Sequence, residues 1–63
     1  MKLSEVKTGM RVRIASEDHH FYFRAGTVLS VYHEIVPDLI YIRIALDSGD
    51  KIQGFQPEHL MAA

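Results

Sequence analysis

Two stretches alternate apolar and polar residues strictly, and this constrains the fold more than anything else in the chain. In "MRVRIA", Met10, Val12 and Ile14 alternate with Arg11 and Arg13. In "LIYIRIAL", Ile40, Ile42, Ile44 and Leu46 alternate with Tyr41 and Arg43. A period of two sends successive side chains to opposite faces of an extended chain. Both stretches therefore read as strands with one face in a core and the other in water. Between them, "GTVLSVYHE" is rich in β-branched and aromatic residues, which suit a pleated surface. Its alternation is broken: Thr27, Leu29 and Val31 fall on one face, Val28 and Tyr32 on the other. One long, bent strand with a bulge, its halves serving two sheets, accommodates that pattern. "KIQGF" is a shorter fourth strand in which Gly54 predicts a bulge or tight bend.

The punctuation agrees. "KTGM" is a turn before the first strand, Pro37-Asp38 in "EIVPDL" initiates a turn between the second and third, and "DSGD" closes a short hairpin. In "QPEHL", Pro57 suits the first position of a single helical or 3-10 turn, where its missing N–H costs nothing. No stretch carries the period of a long amphipathic helix. A fifth strand has two candidate sources: Leu60 to Ala62, pairing briefly with the first strand, or the N-terminal "KLSEV". A first strand exchanged with a neighbouring chain would also close so short an end.

Sixty-three residues make one domain with a thin core, since a chain of this size buries only about 60% of the surface its unfolded form exposes. There is no cysteine, which excludes disulfides and thiolate metal sites and leaves association or an economical core as the source of stability. A hydrophobic fraction of 48% is that of an ordinary globular chain rather than a disordered one. The start "MKLSEVKTGM" lacks the apolar run of a secretory signal, and no run of about 18 apolar residues spans a bilayer. A cytoplasmic location is the expectation, consistent with the absence of cysteine.

Few strands, one of them long, with a single short turn near the end, point to a five-stranded, strongly bent barrel that leaves no exposed edge. The order "TGMRVRI", an aromatic-rich loop, "AGTVLSV", a turn, "YIRIALDSGD", "IQGF" and "PEHL" resembles the SH3-like small barrels. Within them it is similar to the photosystem I stromal subunit that helps dock ferredoxin and to nitrile hydratase β-type barrels. More loosely it resembles the plasmid-borne type II dihydrofolate reductase. The resemblance covers Lys7 to Leu60 and implies the fold; the motifs are generic to the barrel. The ferredoxin-docking subunits use a basic surface, whereas this chain has a formal charge of −1. The reductase lines a shared pore with a Val-Gln-Ile-Tyr run; here only Ile52-Gln53 match, so catalysis would rest on Gln53 alone.

The densest chemistry lies in "SEDHHFYFRAG", Ser16 to Gly26. His19 and His20 diverge on an extended chain, and His33 and His59 sit on other elements, so a zinc site lacks its remaining ligands. In the same extended geometry Phe21 and Phe23 share a face and Tyr22 opposes them. The phenylalanines then either seal one end of the barrel or form a contact surface with Tyr41 and Phe55. Glu17 and Asp18 would suit a groove reading basic peptides, but the chain has no tryptophan, the residue such grooves favour. Arg11, Arg13 and Arg43 on outward strand faces are candidate phosphate contacts, with Tyr41 available to stack on a base. Seven basic against eight acidic side chains give no positive field to draw nucleic acid in. No nucleophile elbow, phosphate loop or catalytic cluster is present.

The chain thus reads as an all-β, five-stranded SH3-like barrel spanning 1–63, with one short 3-10 turn near the C-terminus. Its expected core is Val12, Ile14, Val28, Leu29, Val31, Ile40, Ile42, Ile44, Ile52 and Leu60. The expected role is a non-enzymatic binding or assembly module, self-associating through the aromatic loop, without cofactor or metal and partnered by itself or another protein. Nucleic acid bound by the exterior arginines is an alternative disfavoured by charge, and an oligomeric reductase-like barrel with a shared pore is a lesser one. The expected contact residues are His20, Phe21, Tyr22, Phe23, Arg24, Tyr41 and Phe55.

Overall fold

A computed structural model describes residues 1–63. Five antiparallel strands form one sheet: β1 (Arg11–Ile14), β2 (Ala25–Glu34), β3 (Leu39–Leu46), β4 (Lys51–Phe55) and β5 (Leu60–Ala62). Their order is β4-β3-β2-β1-β5, so β4 and β5 are the two edges and do not pair with each other. The all-β class and the strands read from alternation are as expected. The fifth strand is Leu60–Ala62, with Leu60 opposite Ile14 and Ala62 opposite Val12.

The N-terminal "KLSEV" is not a strand. It makes a second 3-10 turn, Leu3–Glu5, which the sequence reading did not include. The Glu5 side chain reaches back to accept the Lys2 N–H at 2.7 Å while the Glu5 N–H donates to the Lys2 carbonyl at 3.0 Å, a pair of bonds that favours a turn over an extended chain. Val6, just beyond it, enters the core. The expected 3-10 turn is present at Pro57–His59. β1 pairs with β2 on one side and β5 on the other.

Two bulges reconcile the broken alternation. The β2–β3 register shifts between Val28 and Ser30, leaving Leu29 without a cross-strand partner. Val28 and Val31, three apart, can then face inward, opposite Ile44 and Ile42 respectively. The consequence corrects one expected core position: Leu29 bulges outward and is 37% exposed. On β4 the register shifts again, so that Ile52 opposes Ile44 while Phe55 opposes Ile42. Gly54 takes φ +96° there, a left-handed conformation that glycine adopts without a Cβ penalty.

The core comprises Val6, Val12, Ile14, Val28, Ile42, Ile44, Leu46, Phe55 and Leu60, with Met1, Met10, Phe21, Val31 and Ile52 packed around it. Ile40, expected inside, is only half-buried. Gly26, opposite Leu46, lets β2 approach β3 closely: a Cβ there would lie 2.6 Å from the Ala45 carbonyl oxygen and 2.8 Å from Ile44 Cγ2. Outside the core, Arg11 clasps Asp47 through two hydrogen bonds of 2.7 and 2.6 Å and also donates to Thr27 Oγ1. This ties β1 to the turn after β3.

Candidate functional site

The loop between β1 and β2 is not extended, and that changes which of its side chains share a face. The His19 N–H donates to the Ser16 carbonyl, Tyr22 to His19, and Arg24 to Phe21, a succession of tight turns. Turns repeat every three residues or so, not every two. Phe21 therefore packs half-buried against the core, while Tyr22 and Phe23 point out, 44% and 52% exposed. The expectation that Phe21 and Phe23 share a face is overturned.

Histidine 19 fastens the loop inward. Its Nδ1 accepts the Phe21 N–H at 3.0 Å, and its ring centroid lies 5.0 Å from that of Phe55. His20 is exposed and meets Phe21 edge-on at 4.8 Å. The two histidines serve different surroundings, and no group of three or more His, Asp or Glu side chains is placed to hold a metal ion. Phe55, counted among the contact residues, belongs to the core at 3% exposure. The bulge at Gly54 is the reason, since it turns Phe55 to the same side as Ile52.

Phe23 is the one non-glycine residue with positive φ, +66°. Three contacts hold it there. Its N–H donates to the Ile14 carbonyl at 2.8 Å, its own carbonyl accepts Arg13 Nη1 at 2.9 Å, and Arg13 Cζ lies 5.0 Å from its ring centroid. Arg13 sits between buried Val12 and Ile14 on β1, hence on the outward face, opposite Met61 of β5. Met61 is exposed too, so Tyr22, Phe23, Arg13 and Met61 form an outward cluster at one side of the sheet. Arg24 is exposed and makes no ion pair; its carbonyl accepts the Ile14 N–H.

Of the other candidate arginines, Arg11 is committed to Asp47. The paired hydrogen bonds, reinforced by the attraction of opposite charges, hold the Asp47 carboxyl below its ordinary value of 3.8 and raise Arg11 above its own. Arg43 is exposed and has no such partner. It lies on the outer face of β3 with Tyr41 and Leu39, in register with Ser30, Tyr32 and Glu34 of β2. Tyr41 does not join the loop cluster. It stacks on Tyr32, ring centroids 4.9 Å apart and planes within 9°, and the Tyr32 hydroxyl donates to Glu34 Oε2 at 3.1 Å. That hydrogen bond raises the Tyr32 pKa.

Beyond these tyrosines the β2–β3 turn carries Ile35 and Val36, 77% and 84% exposed. They are absent from the expected contact residues because Pro37-Asp38 marks the segment as a turn. The available signal was two adjacent β-branched residues inside a turn, where exposed polar residues are the rule. The molecule therefore has two outward apolar surfaces, the loop cluster and the hairpin face. No pocket opens on it, and no helix is long and apolar enough to cross a membrane. Comparison with known proteins adds nothing to this geometry: no family model, curated protein or solved structure matches the chain.

Proposed function

We propose that this chain is a non-enzymatic binding and assembly module of the cytoplasm, a small SH3-like barrel that associates with copies of itself through the aromatic loop. Three features support the barrel: the strand order β4-β3-β2-β1-β5, a bulged β2 whose first half alone pairs with β1, and a 3-10 turn leading into β5. Curling the sheet about that bend would bring its two edges toward each other.

The observation that carries the assembly reading is Phe23. A phenylalanine in the left-handed region costs about 1–3 kcal/mol, and this one returns little by burial, since half of it faces solvent. Arg13 grips both its carbonyl and its ring, so the side chain is held outward rather than left to collapse onto the core. Covering the half of the ring that still faces solvent contributes about 1 kcal/mol, which offsets part of the strain. The hydrophobic term drives the contact, and the polar rim of Arg13 and Arg24 sets its register.

Light scattering across micromolar to millimolar concentrations tests this. The wild-type chain is expected to exceed the mass of one chain, and Phe23→Asp to lower it. A wild-type chain monomeric throughout overturns the reading. Phe23 is a better target than Phe21, whose replacement would also disturb the core against which it packs.

A further inference from the structure

The outer face of the β2–β3 hairpin is a six-residue grid with an ordered charge pattern. Its three cross-strand pairs run from Ser30 and Arg43, through Tyr32 and Tyr41, to Glu34 and Leu39. The alternation of β3 places Leu39, Tyr41 and Arg43 outward while Ile42 and Ile44 are buried. An unpaired positive charge thus stands at one end, two parallel aromatic rings in the middle, and a carboxylate at the other. Lys51, opposite Ala45 on β4, adds a second positive charge beyond Arg43, while Ile35 and Val36 extend the apolar surface beyond Glu34.

We propose that this face binds the same face of a second copy about a two-fold axis passing through the Tyr32–Tyr41 pair. A two-fold axis superposes one end of a patch on the other end of its mate. Here that brings Arg43 of each chain onto Glu34 of the other, with tyrosine on tyrosine at the centre. A patch with like charges at both ends would repel itself under the same operation, and one without an apolar centre would gain little. The polarity of this grid is what a self-complementary contact requires.

Size is consistent with a real but weak contact. A standard interface takes about 800 Å² from each partner, close to a fifth of the 4212 Å² this chain exposes. The hairpin residues Tyr32, Ile35, Val36, Leu39, Tyr41 and Arg43 are the exposed large side chains available to supply it.

The proposal rests on the assembly reading but assigns a second contact on a different face, so the test removes the loop contact first. In a Phe23→Asp background the solution mass is expected to be that of two chains. Adding Arg43→Glu sets like charges facing each other twice across the axis, and the mass should fall to one chain. Adding Glu34→Lys instead should do the same. A one-to-one mixture of these two double variants makes both cross-axis pairs opposite in sign, and the two-chain mass should return, at least tenfold tighter than either variant alone. Recovery on mixing also shows that both variants are folded.

If Phe23→Asp is already monomeric, the hairpin contact is overturned and the loop reading stands. If Phe23→Asp leaves the wild-type mass unchanged while mixing still rescues, the loop reading fails and this one stands. If the charge variants stay dimeric, or mixing restores nothing, the two-fold contact is wrong.

Discussion

The two ends of the β2–β3 hairpin are made from the same pair of strands and come to opposite fates. At the near end, Gly26 and Val28 face Leu46 and Ile44, and all four are buried. At the far end the same face carries His33 opposite Ile40, the first exposed and the second half-buried. The residue types differ less than the surroundings do. Near-end β2 has β1 on its other side, and β3 has β4 on its own other side up to Ile42. Beyond those partners no strand pairs with the hairpin's outer edges, and the Gln56 side chain donates to the Ile40 carbonyl at 2.6 Å. Apolar side chains there keep their apolar chemistry but lose their covering, which turns a core motif into a surface.

The sharpest break of this comparison is Ile44→Ala. Ile44 is fully buried, and truncating such a side chain should cost about 2–5 kcal/mol in urea-monitored unfolding. A loss below about 1 kcal/mol would show that the near end is not the folded nucleus. Next comes Gly26→Ala. The added Cβ would run into the β3 backbone, at 2.6 Å from the Ala45 carbonyl oxygen and 3.1 Å from Leu46 Cα, so β2 and β3 must part, at a cost of about 1–3 kcal/mol. Leu29→Ala, at the outward bulge one strand position past Val28, should cost less than Gly26→Ala, although it removes most of a side chain where Gly26→Ala only adds a methyl group. The reverse order would place Leu29 in the core after all.

A smaller effect concerns the clasp that pins the near end. The Asp47 carboxyl is held below its ordinary 3.8 by Arg11, so it stabilises the folded chain fully above that value. Its contribution fades as pH falls from about 4 through the lower folded value. Acid unfolding of the wild type should therefore converge on that of Asp47→Asn below this window and diverge from it above. Parallel curves at all pH values would remove the clasp from the account. Smallest of all is the combined Ile35→Ser and Val36→Ser change at the far end. Side chains this exposed should shift the stability of the monomer by no more than about 0.5 kcal/mol each. A loss of several kcal/mol would mean the hairpin tip is packed and cannot be a free surface.

Much of the fold could be read before any coordinates. β3 begins and ends within a residue of the alternating run, because strict period two leaves no competing pattern. The bulges were foreshadowed by the mixed faces around Val28 and by Gly54. Their consequences were not. One extra residue reverses the inward parity of everything after it, which is why Phe55 lies in the core, while Leu29, the extra residue of its own bulge, turns outward. The loop is not legible for a related reason: its side-chain directions follow from turn hydrogen bonds and the positive φ of Phe23, neither of which composition announces.

Local chemistry thus settled where the strands lie, which of their faces is apolar, and that neither thiol chemistry nor disulfides are available. Period two, turn residues and the absence of cysteine act at short range or not at all, so a single chain of letters carries them. Which apolar residues are covered was decided only by assembly of the sheet. Burial depends on which strand lies alongside and in what register, and both bulges shift that register over long separations in sequence. The same long-range geometry placed Arg43, two tyrosines and Glu34 in one row. That arrangement is what the proposed two-fold contact uses.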